Sequence, residues 1–284
     1  MTLKQFTDDT RVQVAFTLSL VWILAIWQFR TLNSFIYPLV ALISMLSFDI
    51  LITYLRYSKT YYPFSSLVSG LLIGLIIAPV GNIWVIICAA LLASLSKQFI
   101  GRGIRQHIFN PAAFGIMSSS ILFQVPIAWW GVAWGIWPSV ILIPLIARVL
   151  IRLKRLMLPV SFLVVMYIYL IVNFFVLSGG NSSGGSMIAD LFNFTKLYFL
   201  DGTLILFAFV MLPEPITSVA TGKFKYFFGV LVSALAIIIG LINIKVSSVV
   251  DEVFLTSLLL ANLVCFLLLR FRKTSNKSLP TNKK

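Results

Sequence analysis

Two stretches decide how this chain folds: FAFVMLPEPITS, residues 207–218, and QHIFNPAAFG, residues 106–115. Both belong to long apolar runs, and both carry residues that a membrane helix normally avoids: Pro213-Glu214-Pro215 in the first, Asn110-Pro111 in the second. Proline removes a backbone donor and clashes with the carbonyl one turn earlier. In hydrocarbon the freed groups must find partners in protein or water. Such interruptions mark sites rather than plain spans.

Working outward, the remainder of the chain reads as membrane protein. Of its 284 residues, 60% are apolar and 11% charged, more hydrocarbon than a soluble core of this length can absorb. Stretches of about 17 to 25 apolar residues can cross a bilayer. Ten are predicted, near 12–29, 35–55, 64–80, 82–97, 108–124, 130–150, 157–177, 203–218, 226–244 and 253–271. The fold class is therefore all-α and polytopic. One transmembrane domain is expected over 1–271, followed by a basic tail at 272–284.

A net charge of +14 invites a nucleic-acid reading, but the distribution argues against one. With ten spans, 19 of the 22 lysines and arginines fall on one face, leaving Arg30, Lys196 and Lys245 opposite. The positive-inside rule puts the crowded face and both termini in the cytoplasm. Asp190, Asp201, Asp251 and Glu252 fall on the outer side. The first span has no small-residue cleavage site after it and reads as retained. Cys88 and Cys265 lie inside spans, and His107 is the single histidine. Neither an iron–sulfur site, nor a bis-histidine haem, nor a zinc site is expected from this chain alone.

Ten spans divide into five plus five, and an odd number per half forces the halves into opposite orientation. Inverted repeats with broken helices lining a central site follow this plan. The repeats are expected at 12–124 and 130–271, with Asn110 opening span five and Asn262 lying within span ten. Residues 178–202 form a glycine- and serine-rich outer loop. Trp129, Trp130, Trp134 and Trp137 read as an interfacial belt. Gly70 and Gly74, and Gly131 and Gly135, are four apart and suit close helix contact.

Only two acids lie within spans, Asp49 and Glu214. Insertion of an ionised aspartate at a helix centre costs about 2.5–3.5 kcal/mol, so intramembrane acids are functional candidates. Glu214 is the stronger one, since Thr217 and Ser218 follow it and the freed carbonyls converge there. Pairing with a base such as Lys223 is the plainer alternative. Asp49, about two turns from Arg56, reads equally as an interfacial charge. The segment KQFIGRGIRQHIFNPAAFG, 97–115, combines bending at Gly101 and Gly103, three cations, and Asn110 as donor and acceptor at a helix start. That suits an anionic or heteroaromatic ligand, or a plain topogenic cluster.

Three segments in order, SSLVSGLLIGLIIAP, SKQFIGRGIRQHIFNPAAFG and MLPEPITSVATGKFKYFFG, with LLLANLV in span ten, resemble the RnfD component of the Rnf electron-transport complex. They also resemble its relative, the NqrB component of the sodium-translocating NADH:quinone reductase. The similarity runs from about residue 60 on. It implies a ten-helix bacterial inner-membrane protein that relays electrons through flavin or quinone, coupled to ion movement, among other membrane and soluble subunits. The family's asparagine-proline motif matches Asn110 and Pro111. Its acid-proline-x-threonine motif matches Glu214, Pro215 and Thr217, with glutamate here where aspartate is common.

The residue reading and the resemblance together give expected cofactor-binding roles to Gly101, Gly103, Asn110, Pro111, Thr217 and Ser218 and expected ion-coupling roles to Glu214 and Asp49, the motif matches themselves covering Asn110, Pro111, Glu214 and Thr217. No catalytic residue of the chain's own and no metal ligand are expected. Members with covalent flavin mononucleotide carry it on a threonine in the outer loop after span five. Here that loop, 125–129, is Val-Pro-Ile-Ala-Trp, so any flavin (FMN or riboflavin) is expected to be noncovalent. A transporter or channel for a small solute or cation, or a scaffold anchoring partner proteins, would use the same architecture.

Overall fold

The computed structural model describes residues 8–58, 62–79, 81–101, 107–178, 189–193, 195–196, 201–218, 224–246 and 252–275. The principal helices are α1 (Thr10–Phe29), α2 (Leu32–Tyr57), α3 (Phe64–Ile76), α4 (Trp84–Phe99), α5 (Pro111–Phe123), α6 (Trp137–Arg152), α7 (Met157–Ser178), α8 (Gly202–Leu206), α9 (Phe224–Val246) and α10 (Val253–Ser275). Between α8 and the Pro213 break lies one π-helical turn, Phe207–Met211. Among the described residues, four helices, α1, α2, α7 and α9, are long and apolar enough to cross a membrane by length and composition. Among the shorter apolar helices are α3, α4, α5, the α8–π unit and α10. The chain is a polytopic all-α membrane protein.

Helix ends follow local chemistry. Asp9 caps α1 by accepting from the Arg11 amide, and Thr31 caps α2 by accepting from Ser34. A side-chain oxygen at this position takes up one of the orphan donors of the first turn. Arg30, in left-handed conformation, closes α1, so two residues suffice to turn the chain into α2. Asn110 caps α5 through Oδ1 to the Ala113 amide, 3.0 Å, with Pro111 at the first helical position. Proline is well placed there because its missing N–H has no intrahelical partner anyway.

The helix pairings repeat between the two halves of the chain. α2 packs on α4 as α7 packs on α9; α4 packs on α5 as α9 packs on α10. α1 meets α3 as α6 meets α8. Across the halves, α1 meets α6 and α5 meets α10, first to first and last to last. In the first half the close approach of α3 to α2 depends on Gly74, where a Cβ would lie 2.4 Å from Pro38 Cα. Gly229 does the same for α9 on α7, where a Cβ would meet the Leu158 carbonyl oxygen at 2.6 Å.

In each half the third helix stops early and ends at proline. α3 stops at Ile76, and Ile77 turns extended to bridge Ile127. The α8–π unit stops at Met211, ahead of Pro213.

Three expectations are corrected near α6. The helix begins at Trp137 rather than near 130, because Gly131 and Ala133 belong to a turn packed on the end of α3. Gly131 therefore serves a turn-to-helix contact rather than a helix pair: its amide donates to the Leu75 carbonyl at 2.9 Å. Trp129 and Trp130 are 4% and 8% exposed and so do not form a belt, whereas Trp137 is exposed. The 178–202 loop lies largely outside the described residues, as do Gly103 and Lys223.

Candidate functional site

A cavity of about 620 Å³ opens between α1, α3, α6 and the broken segment after the π turn. Its walls are mainly apolar, from Val68, Leu72, Ile146, Val149, Phe209 and Val210. Its polar groups include His107, Asn110, Glu214, Lys97, Ser65, Tyr62 and the Asp9–Arg11 pair. The two interrupted motifs, distant in sequence, thus meet at one wall. Asn110 Nδ2 donates to the Met211 carbonyl at 3.3 Å, tying the start of α5 to the last residue of the π turn.

Glu214 is the polar centre of this wall. Thr217 Oγ1 donates to its Oε2 at 2.8 Å, and His107 Nε2 lies 3.1 Å from its Oε1. Its side chain is 21% exposed, while that of His107 is 1% exposed. His107 is held by a short antiparallel contact in which residue 107 bridges Gly101 and Ile108 N donates to the Ile100 carbonyl at 3.0 Å. The break itself is braced by Arg155. Its guanidinium donates to the carbonyls of Pro213, Glu214 and Pro215 and, at 2.7 Å, to Ser218 Oγ. These carbonyls have lost helical partners, and a charged fork of donors is well matched to several at once. Burial lowers the pKa of Arg155, opposed by the Glu214 charge; an arginine stays cationic regardless.

Asp49 sits elsewhere, fully buried against the ends of α3 and α4. Its Oδ2 accepts from Lys97 Nζ at 2.8 Å and Ser66 Oγ at 2.6 Å, and its Oδ1 accepts from Gln98 Nε2 at 2.8 Å. Lys97 Nζ also donates to Ser65 and Ser66, each at 2.8 Å. An ammonium has three donors, so these contacts occupy Lys97 although it borders the cavity. Arg56, the neighbour suggested by spacing, donates instead to the Gln98 carbonyl.

Of the residues singled out from sequence, Asn110 and Glu214 border the cavity, and Thr217 and Ser218 hold Glu214 or its carbonyl from behind. Gly101 shapes the His107 contact, and Pro111 opens α5 outside the lining. Sequence reasoning missed the His107–Glu214 contact, the Arg155 brace and the Lys97 partner of Asp49. The last was in reach: a buried acid needs a counter-charge, and Lys97 ends an apolar span.

An all-α membrane scaffold with paired halves and a cavity at a helix break defines a class shared by transporters and membrane redox proteins. Residues 2–134, a little under half of the chain, match the model of the NQR2, RnfD, RnfE family and are similar to it over that stretch. The matched stretch includes Asn110-Pro111 and all of the first half, and it begins well ahead of residue 60, where the likeness of the individual segments starts; Glu214 lies beyond it. No curated protein matches the chain.

Proposed function

We propose that this chain is the membrane subunit of an Rnf-like, ion-coupled electron-transport complex, holding a flavin or quinone noncovalently between its two halves. The observation that carries the reading is the cavity, which borders both interrupted motifs and has the size and mainly apolar lining of small-molecule sites. A heteroaromatic ring fits walls of Leu72, Ile146 and Phe209, with Asn110 and His107 as polar contacts. The loop at 125–129 offers no threonine for covalent attachment and is occupied by contacts to α3.

The bound group would supply the electron-carrying chemistry; the protein's part is to bind, orient and limit water. Asn110 fixes the wall through its bond to Met211, and Thr217 and Ser218 fix the acid-bearing break. Gly101 pairs with residue 107 across the short antiparallel contact, and Pro111 opens α5 just after it. Glu214 is the ion- or proton-coupling group, placed where a carboxylate is partly hydrated. Asp49 enters coupling only together with Lys97, because moving either charge alone exposes the other to hydrocarbon. Partners are further membrane and soluble subunits, and the basic loops favour a bacterial inner membrane with both termini in the cytoplasm.

The test is the flavin and quinone content of the purified chain, read by visible absorbance and by extraction. Saturable riboflavin or quinone binding that is lost in Leu72→Trp, which fills the cavity, supports the reading. Solute or cation flux in proteoliposomes of this chain alone, with no binding of either group, replaces it with the transporter.

A further inference from the structure

Two adjacent serines of α3 meet the same ammonium and differ in what lies on their other side. Lys97 Nζ donates to Ser65 Oγ and to Ser66 Oγ, each at 2.8 Å. Ser66 is fully buried and donates its own proton to Asp49 Oδ2 at 2.6 Å, so its hydroxyl is satisfied within the protein. Ser65 is partly exposed and borders the cavity, together with Val68, Ser69 and Leu72. Spacings of three, four and seven residues put these side chains on one face of the helix, and that face is the one turned to the cavity. An ammonium only donates, so Ser65 Oγ serves Lys97 as an acceptor and must direct its own O–H elsewhere. Among the described residues no acceptor takes up that hydrogen. Ser69, one turn on, differs again, because its hydroxyl donates back to the Ser65 carbonyl at 3.2 Å. A hydroxyl whose oxygen accepts from a cation is polarised into a stronger donor.

We propose that Ser65 is the hydrogen-bond donor with which this cavity recognises a ring carbonyl of its ligand, and that Lys97 strengthens the donor from behind. This rests on the cavity being a flavin or quinone site and adds the group that is recognised: a carbonyl conjugated to the redox ring, which flavins and quinones both present. Lys97 is a positioning residue in this respect. Its three donors are taken by Asp49 and the two serines, so its charge acts on the ligand through the Ser65 hydroxyl. Asp49 holds the ammonium in place, which gives the buried ion pair a role at the cavity wall. A site built to hydrogen-bond its ligand discriminates against an analogue that lacks the matching group.

The probes are riboflavin and a short-chain benzoquinone, each isotope-labelled at its ring carbonyls and bound to the intact, detergent-solubilised protein. The readout is the carbonyl stretch in the infrared difference spectrum, which falls in frequency when the oxygen accepts a hydrogen bond. The probe that binds is expected to show a downshifted carbonyl band, and which probe does so separates flavin from quinone. Ser65→Ala returns the band toward its unbound position and weakens binding by about tenfold, whereas Ser65→Thr keeps the hydroxyl and restores both. Ser66→Ala removes the neighbouring contact to Lys97 at a position outside the lining and keeps the downshift. If a probe binds the native protein with its carbonyl unshifted, or equally shifted in Ser65→Ala, the donor role is overturned while the cavity's function stands. If neither probe binds the native protein, the flavin or quinone reading fails and the donor role falls with it. The native-protein measurement does not depend on any variant folding.

Discussion

The two broken helices end in opposite ways. At the end of α3 the exposed carbonyls are closed by backbone: Ile76 accepts from the Ala128 and Trp129 amides at 3.1 and 3.0 Å, and Leu75 accepts from Gly131. The Trp130 indole completes the seal on the Gly74 carbonyl at 2.9 Å. At the end of the π turn the closure is made by side chains, Asn110 on Met211 and Arg155 on the three carbonyls that follow. Backbone closure fills space, and that end is plugged by buried tryptophan. Side-chain closure leaves room, and there the cavity lies. The comparison extends to the fifth helices. Asn110 caps α5 beside the open break, and Glu252, immediately ahead of α10, accepts from the Phe254 amide and from Trp129 Nε1, each at 3.2 Å, beside the closed one.

The largest effect should come from the charge stored beside the open end. Lys97→Ala takes the ammonium away from the buried Asp49 carboxylate, which should cost about 3–5 kcal/mol and show as a collapse of the monodisperse fraction in detergent. Asp49→Asn combined with Lys97→Met should recover most of it, since removing both charges leaves nothing uncompensated. If the single variant is as stable as the native protein, the ion pair is not what holds α2, α3 and α4 together.

Next comes the brace. Arg155→Met keeps the stem and removes the donors to the break, for an expected loss of about 2–3 kcal/mol in thermal unfolding. A native-like melting curve would mean water satisfies those carbonyls equally well. Glu214→Gln should leave the melting temperature within a few degrees while sharply reducing ion-coupled turnover in the assembled complex. Unchanged turnover would remove Glu214 from the coupling path.

The smallest effect belongs to the closed end. Trp129→Phe keeps the ring and loses one hydrogen bond to Glu252, about 1–2 kcal/mol. Burial raises the pKa of Glu252, opposed by the Trp129 bond. The folded state therefore holds this proton more tightly than the unfolded chain. Its stabilising contribution is full below the unfolded carboxylate value and declines as pH rises through the folded one. Stability of the native protein should fall over that interval, and Glu252→Gln should flatten the slope.

Much of this was legible in sequence. Hydropathy and the proline breaks gave the helices because bilayer thickness and backbone satisfaction leave few alternatives. Asn110 and Glu214 declared themselves as polar groups where polar groups are costly. Trp129 and Trp130 were misread because an indole at a span's end is equally suited to headgroups and to an exposed carbonyl row. Only the packing of residues 128–131 against α3 decides between them. The His107 contact was hidden for a different reason: a partner 107 residues away leaves no local pattern.

The turn at Phe207–Met211 spaces its hydrogen bond one residue wider than a helix would, with the Leu212 amide reaching back to the Phe207 carbonyl at 2.9 Å. Such an inserted position acts as a rotational shim. Deleting one residue there would restore ordinary winding and swing whatever follows by roughly 100° about the axis. The carboxylate at 214 would then leave the imidazole it now faces, although no polar group of the wall had been replaced. The site's alignment is therefore set by a count of residues as much as by their kinds.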